Sequence, residues 1–161
     1  MIISEPEPTE VMPTISPPAM PISTVGTGRT AISAILPVRG RPDVVVISGD
    51  LTSNGFKDEY VLAREYLNRV DCEAMVVIPG NHDSRNVGYV HFEELFGTRN
   101  SVLRLDEVTI VAVDSSEPDL DNGQIGRGRY GWIEEQFADP ADLKVFVVHH
   151  HLLPVPGTGR R

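Results

Sequence analysis

Cysteine and long hydrophobic runs are both scarce in this sequence. Cys72 is the only cysteine among 161 residues, so an internal disulfide is impossible, which fits a reducing compartment and predicts a cytoplasmic protein. No stretch approaches the roughly 20 apolar residues that a membrane-spanning helix needs. The first residues, Met1–Glu5, lack the basic and apolar segments of a secretory signal. We therefore expect no membrane among the partners of this protein.

Positive charge is also in short supply. The chain has 14 Lys and Arg residues against 23 Asp and Glu residues, which gives a net charge of -9. Non-specific binding to nucleic acid requires a basic surface, so this charge balance argues against such binding. A phosphorylated substrate is still compatible with the balance, because a bound divalent cation reverses the sign of the local charge.

Lysine and aromatic residues are absent from residues 1–41, which hold seven of the 13 prolines. Proline removes a backbone hydrogen-bond donor and interrupts helices, so this segment is predicted to be disordered or non-native. It includes Gly26–Ala31, a G-x-G-x-x-A pattern. Because no buried strand precedes that pattern, a flexible turn is favoured over a dinucleotide site. Residues 42–161 are predicted to form the folded domain.

From Pro42 onward, strand-type and helix-type patterns alternate. Continuous apolar runs predict strands, and apolar residues three or four positions apart predict helices. The predicted strands are residues 43–48, 74–78, 101–105, 108–113 and 144–148, the third and fourth forming a hairpin, and the predicted helices are residues 57–70, 90–96 and 130–137. The predicted inward face of the first helix is Tyr60, Ala63, Tyr66, Leu67 and Val70. The alternation indicates an α/β fold or mixed α+β layers.

Polar side chains of the metal-ligand type directly follow three of these strands. Asp50 follows the first strand, Asn81, His82 and Asp83 follow the second, and His149–His151 follow the last. Carboxylate and amide oxygens and imidazole nitrogens are common ligands of divalent cations. Side chains alternate along a strand, so the three consecutive histidines cannot all be ligands. Asp83 is placed in the sequence to hold the second ring nitrogen of His82.

Some of these residues also have an ordinary structural interpretation. Asp50 opens a stretch rich in turn-forming residues, so it also suits a capping role. Asp114–Ser116, at the end of another strand, are equally compatible with supporting the site and with a structural role. We assign His91 to the surface, and we assign Asp119 and Asp121 to a solvated loop.

The combination of motifs resembles the calcineurin-like metallophosphoesterase superfamily. The matching stretches are Gly49-Asp50, Gly80-Asn81-His82-Asp83 and His149-His150-His151-x-x-Pro154, in the order and spacing of that family. The last stretch is similar to that of class III cyclic-nucleotide phosphodiesterases and related prokaryotic phosphoesterases. The resemblance covers residues 42–161 and implies a partial sandwich of two mixed sheets flanked by helices, with a dinuclear metal centre at the strand ends.

The resemblance implies a metal-binding role for several of these residues. Asp50 would bridge two divalent cations, which would be manganese, iron or zinc. Asn81 would ligate the second cation together with His149 or, if the alignment shifts by one residue, with His150.

The resemblance implies catalytic roles for His82 and Asp83. His82 would contact the phosphate and assist the leaving group, and Asp83 would orient the ring of His82. The substrate would be a phosphorylated small molecule or a nucleotide. It would be hydrolysed as a phosphomonoester or phosphodiester by a metal-bound hydroxide.

Two motifs of the family are missing from the sequence. The opening Asp-x-His is absent because no histidine precedes His82, and the closing Gly-His-x-His is absent because the five histidines all lie elsewhere. We therefore expect a fragment of a longer enzyme with impaired activity, in which residues 1–41 are frame-shifted or replaced. The alternative is a non-catalytic remnant of the fold that acts as a binding module. Exposed sheet edges would favour self-association of such a chain.

Overall fold

The computed structural model of the protein describes residues 41–105, 107–141 and 143–153. The predictions for residues 1–40, including the pattern Gly26–Ala31, lie outside the described residues. The strands are β1 (Val44–Ile47), β2 (Ala74–Val77), β3 (Ser101–Leu105), β4 (Val108–Val113) and β5 (Leu143–Val148), and the helices are α1 (Lys57–Leu67), α2 (Gly88–Phe96) and α3 (Tyr130–Gln136). Their order confirms the predicted alternation of strands and helices.

Two sheets carry these strands. In the first sheet β1 and β2 are parallel, with Val44 opposite Ala74 and Ile47 opposite Val77. In the second sheet β4 lies between β3, to which it is antiparallel, and β5, to which it is parallel. The predicted hairpin of β3 and β4 is confirmed. Because β1 and β2 run in the same direction, the loops that follow them leave the sheet at the same edge.

The two sheets share one apolar core, as the predicted sandwich requires. Val76 and Ile78 from the β2 segment, Ile110 and Ala112 from β4 and Val147 from β5 form a single cluster of buried side chains. Full burial of a Val or Ile side chain stabilises a fold by about 1.5–3 kcal/mol. The fold is thus an α/β sandwich of two sheets, consistent with a partial calcineurin-like architecture.

Helices α1 and α2 cover the outer face of the first sheet. Tyr60 and Leu67 from α1 and Phe92 and Phe96 from α2 form a second buried cluster. The rings of Tyr60 and Phe92 meet edge to face, with their centroids 6.3 Å apart. This cluster fixes α1 beside the two loops that leave the first sheet.

The predicted inward face of α1 is confirmed at Tyr60, Ala63 and Leu67. It is wrong at Tyr66, whose residue is 38% exposed. Tyr66 lies at the margin of the apolar stripe, and the guanidinium of Arg69 packs over its ring at 5.2 Å from the centroid. An amphipathic ring at such a position keeps its polar end in water.

Helix α1 also ends earlier than the predicted Val70. The N–H groups of Arg69 and Val70 donate to the carbonyls of Tyr66 and Leu67, three residues back, rather than four. That spacing tightens the last turn and closes the α-helix at Leu67. At the other end, the Glu59 carboxylate accepts from the N–H of Phe56 at 3.1 Å, which caps the start of the helix.

Helix α3 lies against the outer face of the second sheet. Phe137, just after the helix, packs its ring edge-on against Phe146 of β5, with 6.4 Å between the centroids. His91 of α2 was assigned to the surface, but only 25% of its side chain is accessible. Among the residues that the structure describes, no helix has the length and apolar character needed to cross a membrane.

Candidate metal centre

A sharp turn directly after β1 presents Asp50 at the edge of the first sheet. Gly49 has φ 108° and Asp50 has φ 57°, both in a region that glycine adopts freely and that Asp tolerates better than most residues. The N–H of His82 donates to Asp50 Oδ1 at 3.2 Å. A β carbon on Gly49 would lie 2.6 Å from the backbone nitrogen of Gly80. The close approach of the two loops therefore requires glycine.

Three atoms with lone pairs converge at this edge. His149 Nδ1 lies 2.8 Å from the carbonyl oxygen of Ser48. A carbonyl only accepts, so Nδ1 carries the proton and Nε2 of the neutral ring keeps its lone pair. Nε2 lies 3.1 Å from Asn81 Oδ1 and 3.5 Å from Asp50 Oδ1. Electron-pair donors that face one another repel unless a proton or a cation lies among them.

The side chains of Asp50, Asn81 and His149, called here the donor cluster, fit a divalent cation. Ligand atoms at about 2.1 Å from one cation lie roughly 3.0–3.4 Å apart, close to the separations in the cluster. Carboxylate, amide and imidazole donors suit several borderline cations. Among the described residues there is no group of three or more His, Cys, Asp or Glu side chains placed to hold a metal. The third donor here is an amide, and a cation would need ligands beyond these three.

The prediction that Asp83 orients the ring of His82 is wrong. Asp83 is fully buried, and its Oδ1 accepts from the N–H and from the hydroxyl of Thr52, both at 2.8 Å. Its Oδ2 accepts from the N–H of Gly80 at 2.8 Å and from that of Leu51 at 3.1 Å. Both carboxylate oxygens are thus bonded to Leu51, Thr52 and Gly80, and the ring nitrogen Nδ1 of His82 faces Ser53 and Arg85 instead. Asp83 therefore joins the loop that carries Asp50 to the loop that carries Asn81, called here the motif loop, rather than acting on His82.

Burial governs the ionisation of Asp83 and of the neighbouring Tyr60. Burial raises the pKa of Asp83, and the hydrogen bonds from Gly80, Thr52 and Leu51 oppose that rise. The Tyr60 hydroxyl donates to the backbone carbonyl of Asp83 at 2.6 Å. Burial first, and then the charge of Asp83, raises the pKa of Tyr60 far above its usual range. The shift favours the protonated hydroxyl, which is the form that donates to Asp83.

His82 has two competing partners at one ring nitrogen. Its Nδ1 lies 2.9 Å from the carbonyl oxygen of Ser53 and 3.1 Å from Arg85 Nη1. A carbonyl only accepts and a guanidinium only donates, so only one of these contacts is a hydrogen bond at any moment. When Nδ1 donates to Ser53, Nε2 is an acceptor; when Arg85 donates to Nδ1, the ring proton of neutral His82 is on Nε2. His82 can therefore present either a donor or an acceptor at Nε2, as proton transfer requires.

The alternative metal ligand, His150, has other partners in the structure, and its ligand role stays a prediction. His150 Nε2 lies 3.2 Å from the carbonyl oxygen of Asp121, and Nδ1 lies 2.8 Å from Ser115 Oγ. Nε2 must donate to the carbonyl, so Nδ1 accepts from the hydroxyl and both nitrogens are occupied. Burial, and then the neighbouring imidazole of His149, lowers the pKa of His150 and favours the neutral ring. His149 alone joins the donor cluster.

Residues 114–116, which follow β4, were equally compatible with supporting the site and with a structural role, and the structure shows both. The side chain of Asp114 is 2% exposed and accepts from Arg99 Nη1 at 2.9 Å and from the Ser116 hydroxyl at 2.6 Å. The Ser116 hydroxyl also contacts that of Ser84, next to Asp83. Asp114 and Ser116 are therefore structural. The hydroxyl of Ser115 bonds to the ring of His150, which is adjacent to His149 of the donor cluster.

Sequence reasoning missed two residues next to the donor cluster. Asp121, assigned to a solvated loop, has its Oδ1 3.2 Å from Asn81 Nδ2 and 2.7 Å from Arg85 Nη2. These contacts join residues 40 and 36 positions apart, so no local pattern signals them. Arg85 lies two residues after Asp83, and this closeness in sequence was the one available signal that it lies near the site.

The sequence model of a protein family described as calcineurin-like phosphoesterase matches residues 29–160, which is most of the chain. The chain belongs to this family. The match begins upstream of residue 42, where composition placed the start of the domain, and that boundary stays a prediction.

Curated relatives of this calcineurin-like phosphoesterase bear the names of phosphodiesterases. A probable glycerophosphodiester phosphodiesterase GpdQ of Arcobacter nitrofigilis is 34% identical over 119 residues, or 71% of this chain and 43% of the relative. A probable cyclic nucleotide phosphodiesterase of Rhodococcus erythropolis is 31% identical over 139 residues, or 80% and 44% of the two chains. A cAMP/cGMP dual specificity phosphodiesterase of Mycobacterium tuberculosis is 30% identical over 122 residues, or 71% and 38%. The chain spans less than half the length of these relatives.

Within the calcineurin-like phosphoesterase fold, the geometry of the first sheet explains why the two glycine-containing motifs meet. β1 and β2 are parallel and in register, so Gly49 and Gly80 leave the sheet side by side. A β carbon on Gly80 would contact Asp50 Oδ1 and would lie 2.6 Å from Asp50 N and 2.8 Å from His149 Cε1. Both glycines are thus needed to bring the donor cluster together.

Proposed function

We propose that this chain carries part of the active site of a metal-dependent phosphoesterase. The observation that best supports the proposal is the convergence of Asp50 Oδ1, Asn81 Oδ1 and His149 Nε2, whose lone pairs face one another. Membership of the family supports the same reaction class. The donor set favours manganese, iron or zinc. Asp50, with two carboxylate oxygens, would also reach a second cation.

Some residues of the chain would hold the cation, and others would position the residues that hold it. Asp50, Asn81 and His149 would hold a cation, and bound divalent cations would supply Lewis acidity toward the phosphoryl oxygens and a water of lowered pKa. Ser48 would keep His149 in the tautomer that leaves Nε2 for the cation. Asp83, by joining the two loops, would maintain the spacing of the ligands.

His82 would act on the substrate directly. Its backbone lies against Asp50, and its half-buried ring follows Asn81 in the motif loop. Through Nε2 the ring would hydrogen-bond a phosphate oxygen or pass a proton to the leaving oxygen. The exchange of partners at Nδ1, between Ser53 and Arg85, would accompany that proton transfer.

The substrate that we propose is a phosphodiester. The relatives are named for glycerophosphodiesters and for cyclic nucleotides, and both classes carry a single negative charge at the reacting phosphate. The net charge of -9 disfavours an anionic substrate in general. Bound cations would make the local charge positive, so a phosphate would also bind at the donor cluster.

The test is hydrolysis of bis(p-nitrophenyl) phosphate by the full chain with added Mn²⁺, followed through release of p-nitrophenolate. We expect release that depends on Mn²⁺ and is lost in Asp50→Ala. Asp58→Ala removes an exposed acid from the first turn of α1 and is the matched control, with activity unchanged. Activity that survives Asp50→Ala would place the chemistry elsewhere.

A non-catalytic binding module is the second candidate. The observation that favours it is the small donor set, since the described residues offer an Asp, an Asn and a His at the cluster. Such a module would bind Mn²⁺ and a phosphodiester without turning the ester over. Mn²⁺ binding that is lost in Asp50→Ala, without hydrolysis in the assay above, would select this alternative.

A further inference from the structure

The two ends of the Asn81 side-chain amide face different partners. Nδ2 lies 3.2 Å from Asp121 Oδ1, and Oδ1 lies 3.1 Å from His149 Nε2. The two ends of an amide have nearly the same size, so packing around this buried residue does not distinguish them. Only the oxygen end can ligate a cation, since a flipped amide would present an NH₂ group. Cation binding therefore depends on which contacts fix the orientation of the Asn81 amide.

The Asp121 carboxylate makes that distinction chemically. A carboxylate only accepts hydrogen bonds, so the end of Asn81 that faces it must be Nδ2. Arg85 Nη2 in turn holds the same oxygen of Asp121 at 2.7 Å. The other arm of the guanidinium lies 3.1 Å from His82 Nδ1. The contacts run from Asn81 through Asp121 to Arg85, and so link the donor cluster to the ring that would act on the substrate.

We propose that Asp121, held by Arg85, is a positioning residue that fixes Asn81 with its carbonyl oxygen toward the cation. The inference rests on the proposed function, because it assigns a role at the same site. Residues that support a metal ligand typically change metal affinity by about 10–100-fold. The Asp121 side chain is 65% exposed, so we expect the low end of that range, about tenfold.

Charge alone predicts a different result for Arg85. Removing a positive charge beside a cation site strengthens cation binding, whereas removing the anchor of Asp121 weakens it. Arg85→Gln therefore separates the two effects by sign, and we expect weaker binding of Mn²⁺. Arg85→Lys keeps the charge but not the forked geometry, so it should restore only part of the affinity.

Asp119→Asn is the matched control for Asp121→Ala. It removes the same charge from the same loop, but Asp119 Oδ1 accepts from the N–H of Asn86 and not from Asn81. Asn also tolerates the φ of 59° at this position. If Asp121 acted only through its charge, Asp119→Asn would also weaken binding of Mn²⁺.

The experiment titrates Mn²⁺ into the full chain and follows free Mn²⁺ by electron paramagnetic resonance. We expect Asp121→Ala and Arg85→Gln to bind about tenfold more weakly than wild type, and Asp119→Asn to bind nearly as well. Asp50→Ala reports on the site itself and should not bind. Wild-type affinity in Asp121→Ala, or equal loss in Asp119→Asn, would overturn the role of Asp121 while leaving the proposed function intact.

A second readout needs no metal. In the cation-free protein, the side-chain amide of Asn81 is followed by NMR, and its exchange with solvent should accelerate in Asp121→Ala but not in Asp119→Asn. Unchanged melting temperatures show that the variants are folded. If the wild type itself binds no Mn²⁺, the proposed function fails. The amide signal then still decides whether Asp121 orients Asn81, since an unchanged signal overturns that role and faster exchange upholds it.

Discussion

Thr52 donates two hydrogen bonds to the same oxygen of Asp83, one from its backbone N–H and one from its hydroxyl, both at 2.8 Å. The other oxygen accepts from the N–H of Gly80, also at 2.8 Å. Thr52 follows β1 and Gly80 follows β2, so one buried carboxylate joins the loops that carry Asp50 and Asn81. The spacing of the candidate ligands is thus set by a residue beneath them.

Asp83→Asn should destabilise the chain. One carboxylate oxygen becomes an NH₂ group that faces the N–H donors of Thr52 or of Gly80. Buried groups left without partners cost about 1–3 kcal/mol each, and hydrogen bonds to charged groups about 1.5–3 kcal/mol, so we expect a loss of about 2–4 kcal/mol. Urea unfolding measures the loss. Asp139→Asn, at a side chain that is 66% exposed, is the control, and an equal effect of both changes would contradict the proposed tie.

Gly80→Ala should disrupt the donor cluster. The added β carbon would contact Asp50 Oδ1 and lie 2.8 Å from His149 Cε1, so the loops must separate. We expect a loss of stability of at least about 1–3 kcal/mol and weaker binding of Mn²⁺. Gly131→Ala is the matched control, because a β carbon there meets nothing within 4 Å in helix α3. That substitution should stabilise the helix by about 0.5–1 kcal/mol, and a similar result at both positions would be inconsistent with the close approach.

The two neighbouring histidines should differ in their effect on metal binding. His149→Ala removes a donor, so the affinity for Mn²⁺ should fall by more than the roughly 10–100-fold that losing a supporting residue costs. His150→Ala should cost less, since its ring nitrogens face Ser115 and Asp121. Isothermal titration calorimetry measures both affinities. A larger loss in His150→Ala would reverse the assignment.

Tyr60→Phe should remove a pH dependence of stability. The pKa of Tyr60 is raised in the fold, while in the unfolded chain it is about 10. The native state then holds its proton where the unfolded state loses it, so stability present below about pH 10 is lost as the pH rises above that value. The variant should also lose about 0.5–1.5 kcal/mol at neutral pH, because the hydrogen bond to the Asp83 carbonyl is gone.

Urea unfolding at neutral pH and at pH values above about 10 checks both parts of this prediction. Tyr130→Phe, at a residue that is 53% exposed, is the control and should lose stability in parallel with the wild type. If Tyr60→Phe and the wild type lost stability in parallel at high pH, the raised pKa would not be the cause.

The elements of the fold followed from local pattern. Continuous apolar runs located every strand from β1 to β5, and the stripe of Tyr60, Ala63 and Leu67 located the buried face of α1. These features depend on residues close together in the chain, whose periodicity matches that of a helix or a strand. The ends of the elements were less well predicted, since the last turn of α1 is closed by backbone hydrogen bonds that no side-chain pattern encodes.

The partners within the site did not follow from local pattern. Asp83 was expected to hold its neighbour His82, but it binds Thr52, 31 positions away. Asp121 was expected to be a solvated loop acid; its side chain is 65% exposed, and it also contacts Asn81, 40 positions away. Such contacts depend on which loops the sheets bring side by side, and a single sequence contains no signal for them.

The sequence by itself determined which donors stand at the strand ends, and that adjacent histidines must face opposite ways. Only the tertiary structure decided that His149, and not His150, meets Asp50 and Asn81. Val145 and Val147 of β5 point into the core between the sheets, so His149, two residues further along, points toward the first sheet as well. The physical reason is that strand alternation fixes relative direction, whereas the packing of one sheet on the other fixes which direction faces the site.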